Sequence, residues 1–308
     1  MLISLKGLSW NTLAYVINFC SCLGLLFSDS DLGFWILLEI GMFSLVVCVV
    51  FYEESFSYRV GQFMVVFFIS QLLGSVFMFF SWATGLWVEL FGIGVLVKLG
   101  FWPLVFPLLV FNFNQTGFLF WYGLTVAKFP LYYLASAHYL ESWVISGAGL
   151  LSVGVGFWVY FKEGPTLGFS LQSALVLSSL VETLFFLWVF SFNPMWGMVY
   201  FVYYSINLGF VLVCENWGGG KWLYSVFLLG LSGLPPFVGY QLKLGVLLAM
   251  LEGGSLSLAL VSLYLIVQSV IIFFLIFSGF LKIKGVSVWG VFLLVTYLCF
   301  QFSFFALF

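Results

Sequence analysis

Residues 221–248 read KWLYSVFLLGLSGLPPFVGYQLKLGVLL. A bilayer span needs roughly 20 mostly apolar residues, and this run exceeds that length with Pro235 and Pro236 in its middle. Proline has no N–H and clashes with the carbonyl four residues back. The carbonyls of Leu231 and Ser232 therefore lose their intrahelical partners. In hydrocarbon such a break is tolerated only where protein or water satisfies the freed groups. The double proline, flanked by Gly230, Gly233 and Gly239, thus predicts a membrane helix interrupted at a hydrated cavity, with Lys243 just beyond.

The rest of the chain has the same character. Of 308 residues 64% are hydrophobic and 6% charged, and the mean hydropathy is +1.22. Soluble domains carry about 25% charged residues, so the composition excludes a soluble enzyme, a nucleic-acid binder and a disordered chain. Cutting at charges and turns leaves about eleven apolar runs: 8–28, 32–51, 60–81, 86–110, 116–137, 143–161, 166–190, 195–214, 221–248, 256–279 and 286–307. The runs are continuous rather than alternating, which disfavours transmembrane strands. The expectation is one all-α polytopic membrane domain over 1–308. Its first run exceeds a signal-peptide core and lacks a clean cleavage site, so it is kept as mature protein.

Charge placement supports that count. On one side of an eleven-span chain lie Lys6, Arg59, Lys162, Lys221, Lys282 and Lys284; on the other lie Asp29, Asp31, Glu89, Glu141 and Glu252 without any Lys or Arg. The positive-inside rule then puts the N-terminus on the cytoplasm-like (matrix-like) side and the C-terminus opposite.

Glu39, Lys98, Lys128, Glu182 and Lys243 fall within the runs. An ionisable group at a helix centre costs about 2.5–3.5 kcal/mol to insert and is a functional candidate by default. Each has a plainer alternative: a snorkelling lysine at 98 or 128, an interfacial carboxylate at 39 or 182, a surface lysine at 243. Further breaks are expected at Pro103 and Pro107, just after Lys98, and at Pro130, just after Lys128. The broken fourth and ninth runs are five apart, the spacing of an inverted repeat. Repeat one would cover about 8–137, repeat two about 143–279, with 286–307 as an additional helix.

Cofactor signatures are missing from the sequence. The five cysteines (Cys20, Cys22, Cys48, Cys214 and Cys299) lack iron–sulfur spacing, and His138 alone makes neither a haem nor a zinc site. Gly218-Gly219-Gly220-Lys221 has neither the strand nor the spacing of a phosphate loop.

Four stretches, LLEIGMFS (37–44), VKLGFWPLVFP (97–107), YGLTVAKFPLYYL (122–134) and LLGLSGLPPFVGYQLK (228–243), resemble the NADH dehydrogenase subunit 2 family. These are antiporter-like membrane subunits of respiratory complex I, encoded in mitochondria. The resemblance runs from about residue 30 to 250 and aligns Glu39, Lys98, Lys128 and Lys243 with the family's functional positions. It departs at LQSALVLSSLVE (171–182): Gln172 and Ser173 stand where basic residues are usual, and Glu182 takes a histidine-like position.

The resemblance implies a non-redox, proton-translocating subunit of an NADH:ubiquinone reductase in the mitochondrial inner membrane. Its partners would be other membrane-arm subunits, lipid, protons and water, with no nucleic acid. NADH, FMN, iron–sulfur clusters and ubiquinone would sit on other subunits, and this chain would bind no metal. An approach of Glu39 to Lys98 would stabilise the buried ammonium by about 4 kcal/mol at 4 Å, and its loss would pass a proton towards Lys128 and Lys243. A free-standing cation/proton antiporter and a structural membrane-arm spacer are the competing expectations.

Overall fold

The computed structural model describes residues 2–28, 30–52, 58–84, 88–100, 117–137, 171–216, 221–232 and 237–251, with 147, 151, 154, 295, 297 and 298. Among these every regular element is helical. In chain order they are α1 (Leu2–Leu26), α2 (Asp31–Tyr52), α3 (Tyr58–Thr84), α4 (Val88–Lys98) and α5 (Gly117–Leu124), then a 3₁₀ turn at Val126–Lys128. There follow α6 (Phe129–Ala137), α7 (Leu171–Phe192), α8 (Pro194–Asn216), α9 (Lys221–Ser232) and α10 (Val238–Leu251).

The eleven-span expectation is corrected here. Among the described residues, two segments are long and apolar enough to cross a bilayer, Phe67–Thr84 in α3 and Pro194–Cys214 in α8. The apolar stretches Thr12–Leu25, Leu32–Cys48 and Ser178–Ser191 are shorter. An apolar run does not reveal where its helical ladder stops. The run 86–110 holds α4, which ends at Lys98; 116–137 is cut by the 3₁₀ turn; 221–248 is split into α9 and α10. At 1.5 Å per residue, helices of 8 to 14 residues reach about 12–21 Å, short of a hydrocarbon core of about 30 Å. The five-helix inverted repeat depended on eleven alternating crossings and falls with them. The runs 143–161, 256–279 and 286–307 lie largely outside the described residues.

The chain divides into two compact units, Met1–Gln115 with Tyr122–Lys162, and Thr116–Trp121 with Glu163–Phe308. In the first, α1 packs along α2 and α3 along α4. The α1–α2 seam is built of small and polar residues. Asn18 donates to the Gly41 carbonyl and, at 2.9 Å, to Ser44 Oγ, while its own oxygen accepts the Tyr122 hydroxyl. Small residues and interhelical hydrogen bonds are how helices associate where apolar surface gives no preference. The outward faces are the reverse: Leu32, Ile36, Ile40, Phe43 and Val47 form an exposed stripe along α2, and Ile69, Leu73, Val76 and Phe80 do so along α3. Large apolar residues thus stand on the outer faces as well as in the core, where Leu38, Met42 and Leu45 of α2 are buried.

In the second unit a single residue joins α7 to α8. Asn193 Oδ1 accepts the N–H groups of Met195 and Trp196 at 3.2 and 3.3 Å, and Pro194 takes the first helical position, where no N–H is needed. The two helices are fastened by Phe186, whose ring packs against Tyr200, Phe201 and Tyr204 with centroids 5.1, 5.6 and 5.5 Å away.

Candidate functional site: two buried Glu–Lys pairs

Among the described residues, each unit holds one buried carboxylate–ammonium pair. In the first, Lys98 is the last residue of α4 and Glu39 lies mid-way along α2. Lys98 Nζ stands 2.8 Å from Glu39 Oε1, with the lysine side chain wholly buried and the glutamate 12% exposed. That is the length of a charge-assisted hydrogen bond. Ser75 of α3 donates to the same oxygen, Glu39 Oε1. Gln71, one turn earlier, donates at 3.1 Å to the Lys98 carbonyl, which lies at a helix end where carbonyls lack intrahelical donors. Gly100 closes the end of α4 with φ 85°, a conformation that glycine adopts without steric penalty.

The α3–α4 crossing makes room for the lysine. A methyl group at Gly74 would come within 2.6 Å of Lys98 Cγ and 2.9 Å of the Gly94 carbonyl oxygen; one at Gly94 would come within 2.8 Å of the Gly74 carbonyl oxygen. The two backbones touch, and the lysine stem runs across the bare surface of Gly74.

Lys128 is buried in the 3₁₀ turn. Pro130 cannot donate to the Val126 carbonyl, and the Phe129 N–H bonds that carbonyl instead, so the tighter turn absorbs the break. Lys98 and Lys128 both line a cavity of about 100 Å³ in the first unit, together with Asn18, Ser70, Gln71 and Leu99. Most of its lining is apolar, but the two lysines, Asn18, Ser70 and Gln71 give it the polar partners that waters need.

In the second unit Glu182 of α7 faces Lys243 of α10, with Oε1 3.5 Å from Nζ and both side chains nearly fully buried. Tyr200 of α8 donates to the other oxygen, Oε2, at 2.8 Å. Lys243 also reaches the Leu231 carbonyl at 3.5 Å. The break between α9 and α10 is clipped by the Tyr203 hydroxyl, which donates to the Gly230 carbonyl at 3.3 Å and accepts the Gly239 N–H at 2.9 Å. Asn207 in turn holds the Tyr203 carbonyl at 2.8 Å.

Glu39 with Lys98 and Glu182 with Lys243 are therefore brought together, and Lys128 shares the cavity of Lys98. Pro103, Pro107, Gly233, Pro235 and Pro236 lie outside the described residues. Sequence reasoning passed over Ser75, Gln71, Tyr200 and Tyr203, which carry no charge and lie within apolar runs. The one available signal was spacing: Gln71, Gly74 and Ser75 at i, i+3 and i+4 share a helix face.

Breaking a buried ion pair by removing one partner costs about 3–5 kcal/mol, so the pairs are structurally consequential whatever else they do. Buried, salt-bridged Glu–Lys pairs also fit, in general terms, an ion-translocating network. Neither a protein-family model nor a curated protein sequence matches the chain. The two candidate spans among the described residues correct the expectation of an extensively multi-span membrane subunit, and no sequence match supports the complex I terms.

Proposed function

We propose that this chain is a membrane protein that moves protons through its buried Glu–Lys pairs. The observation that carries the reading is the Glu39–Lys98 contact beside a largely apolar cavity into which Lys98 and Lys128 both bring an ammonium group. A lysine held by a carboxylate keeps its proton; one released from it gives the proton up more readily. Glu39 can therefore gate proton release from Lys98 to water in the cavity, and Lys128 is the next acceptor. Glu182 and Lys243 form a second gate of the same chemistry. The outward apolar stripes support a lipid setting.

A finer reading rests on the four family-like motifs. The chain acts as the antiporter-like, non-redox subunit of a proton-pumping NADH:ubiquinone reductase, beside other membrane-arm subunits in the mitochondrial inner membrane. The N-terminus, with Lys6, faces the matrix, as the positive-inside rule favours for basic residues.

Proton flux into vesicles containing the full chain, or its native complex if it purifies as one, tests the reading. Lys98→Met and Glu39→Gln should each abolish most of the flux while the protein still folds. Full flux in both variants would end it. Purification with or without companion subunits separates the complex from a free-standing antiporter, and a cysteine beside Lys6 labelled only from the matrix side supports the orientation.

A further inference from the structure

Three residues on one face of α3 serve the Glu39–Lys98 pair, two at Lys98 and one at Glu39. Gln71 binds the Lys98 carbonyl, Gly74 leaves space for the lysine stem, and Ser75 donates to the oxygen of Glu39 that the Lys98 ammonium also reaches. We propose that this face is the positioning site of the Glu39–Lys98 pair, and that the Ser75 hydroxyl is the donor that keeps Glu39 in place when Lys98 turns from it towards the cavity. The inference deepens the translocation reading and rests on it for its consequence, though not for its geometry.

Ser75 has two acceptors and one hydrogen. Its Oγ lies 2.9 Å from the Gln71 carbonyl, one turn back in its own helix, and also contacts Glu39 Oε1. An ionised carboxylate oxygen is the stronger acceptor, so the hydrogen goes to Glu39 while Glu39 is charged. When Glu39 is protonated, the hydroxyl returns its hydrogen to the Gln71 carbonyl, and its oxygen accepts the Glu39 O–H. One rotor thus answers both states of the carboxyl group without leaving a buried polar atom unsatisfied. Lys98, meanwhile, lies between two destinations, Glu39 on one side and the cavity it shares with Lys128 on the other. Gly74 permits the stem to move, because no Cβ stands against it.

The test is infrared spectroscopy on the full chain in lipid vesicles, with the Glu39 carboxyl bands assigned by their loss in E39Q and proton flux measured in parallel. In S75A the Glu39 bands shift and flux falls about tenfold, the scale of one hydrogen bond to a charged group; S75T, which keeps the hydroxyl, restores both. A merely structural serine would not move those bands. Unshifted Glu39 bands in S75A overturn the proposal. Should S75A fail to fold, S75C makes the same comparison with a weaker donor. Shifted bands in a chain that moves no protons at all would sink the translocation reading and leave the positioning role standing.

Discussion

The Lys243 ammonium lies 3.5 Å from the carbonyl oxygen of Leu231, the acceptor that Pro235, four residues on, cannot serve. The same nitrogen is 3.5 Å from Glu182 Oε1. Lys243 is thus shared between a backbone acceptor exposed by a helix break and a carboxylate, both looser than the 2.8 Å contact of Lys98 with Glu39. One pair is tight, the other poised.

Removing either member of the second pair strands the other in a nearly dry site. Glu182→Gln and Lys243→Met should each destabilise the protein by about 3–5 kcal/mol. The double variant should cost clearly less than the sum, since no charge is left behind. Denaturation of the full chain in micelles measures all three; strict additivity would show that the two residues do not interact.

Tyr203→Phe removes only a hydroxyl, but that hydroxyl serves both sides of the break. The loss should be about 1–3 kcal/mol, because the Gly239 N–H and Gly230 carbonyl stay buried without it. Hydrogen exchange resolved at the Gly239 amide should accelerate, while amides in the middle of α8 keep their protection.

Gly74→Ala places a methyl group against the Gly94 carbonyl and the Lys98 stem. Overpacking of this kind costs about 1–3 kcal/mol. Paired spin labels on α3 and α4 should report a wider separation in the variant; an unchanged distance would show that the crossing tolerates a side chain.

Lipid exposure is testable along α2. A nitroxide at Ile36 or Phe43, both over 40% exposed, should collide with oxygen dissolved in the bilayer and hardly at all with a water-soluble nickel reagent. Strong nickel collisions at these positions would show that water, not lipid, covers the stripe.

Much of the chemistry was legible from composition alone. In a chain with 20 charges, a charge inside an apolar run stands out, and Glu39, Lys98, Lys128, Glu182 and Lys243 could be singled out individually. The Val126 carbonyl, whose α-helical donor Pro130 removes, could likewise be named, and it is rescued by a 3₁₀ bond. Helix length could not be read the same way. Hydropathy is nearly uniform through 116–137, yet the ladder changes register at Thr125 and splits the run into an eight-residue and a nine-residue helix. Partner choice was equally hidden: 61 positions separate Glu182 from Lys243, and no local pattern couples them. Ser75 and Tyr203 illustrate a third limit, since one hydroxyl in an apolar stretch acquires meaning only from what stands opposite.

The contrast between the α2 stripe and the Gly74–Gly94 crossing bears on how such a gene can change. Leu, Ile, Val and Phe are interchangeable where a face must only be greasy, so most substitutions there would pass unnoticed by selection. At the crossing even one carbon is too many. Lineages carrying this fold would diverge quickly over their outer faces and barely at all at the contact, and the last trace of shared ancestry to fade would be two glycines and the lysine that lies across one of them.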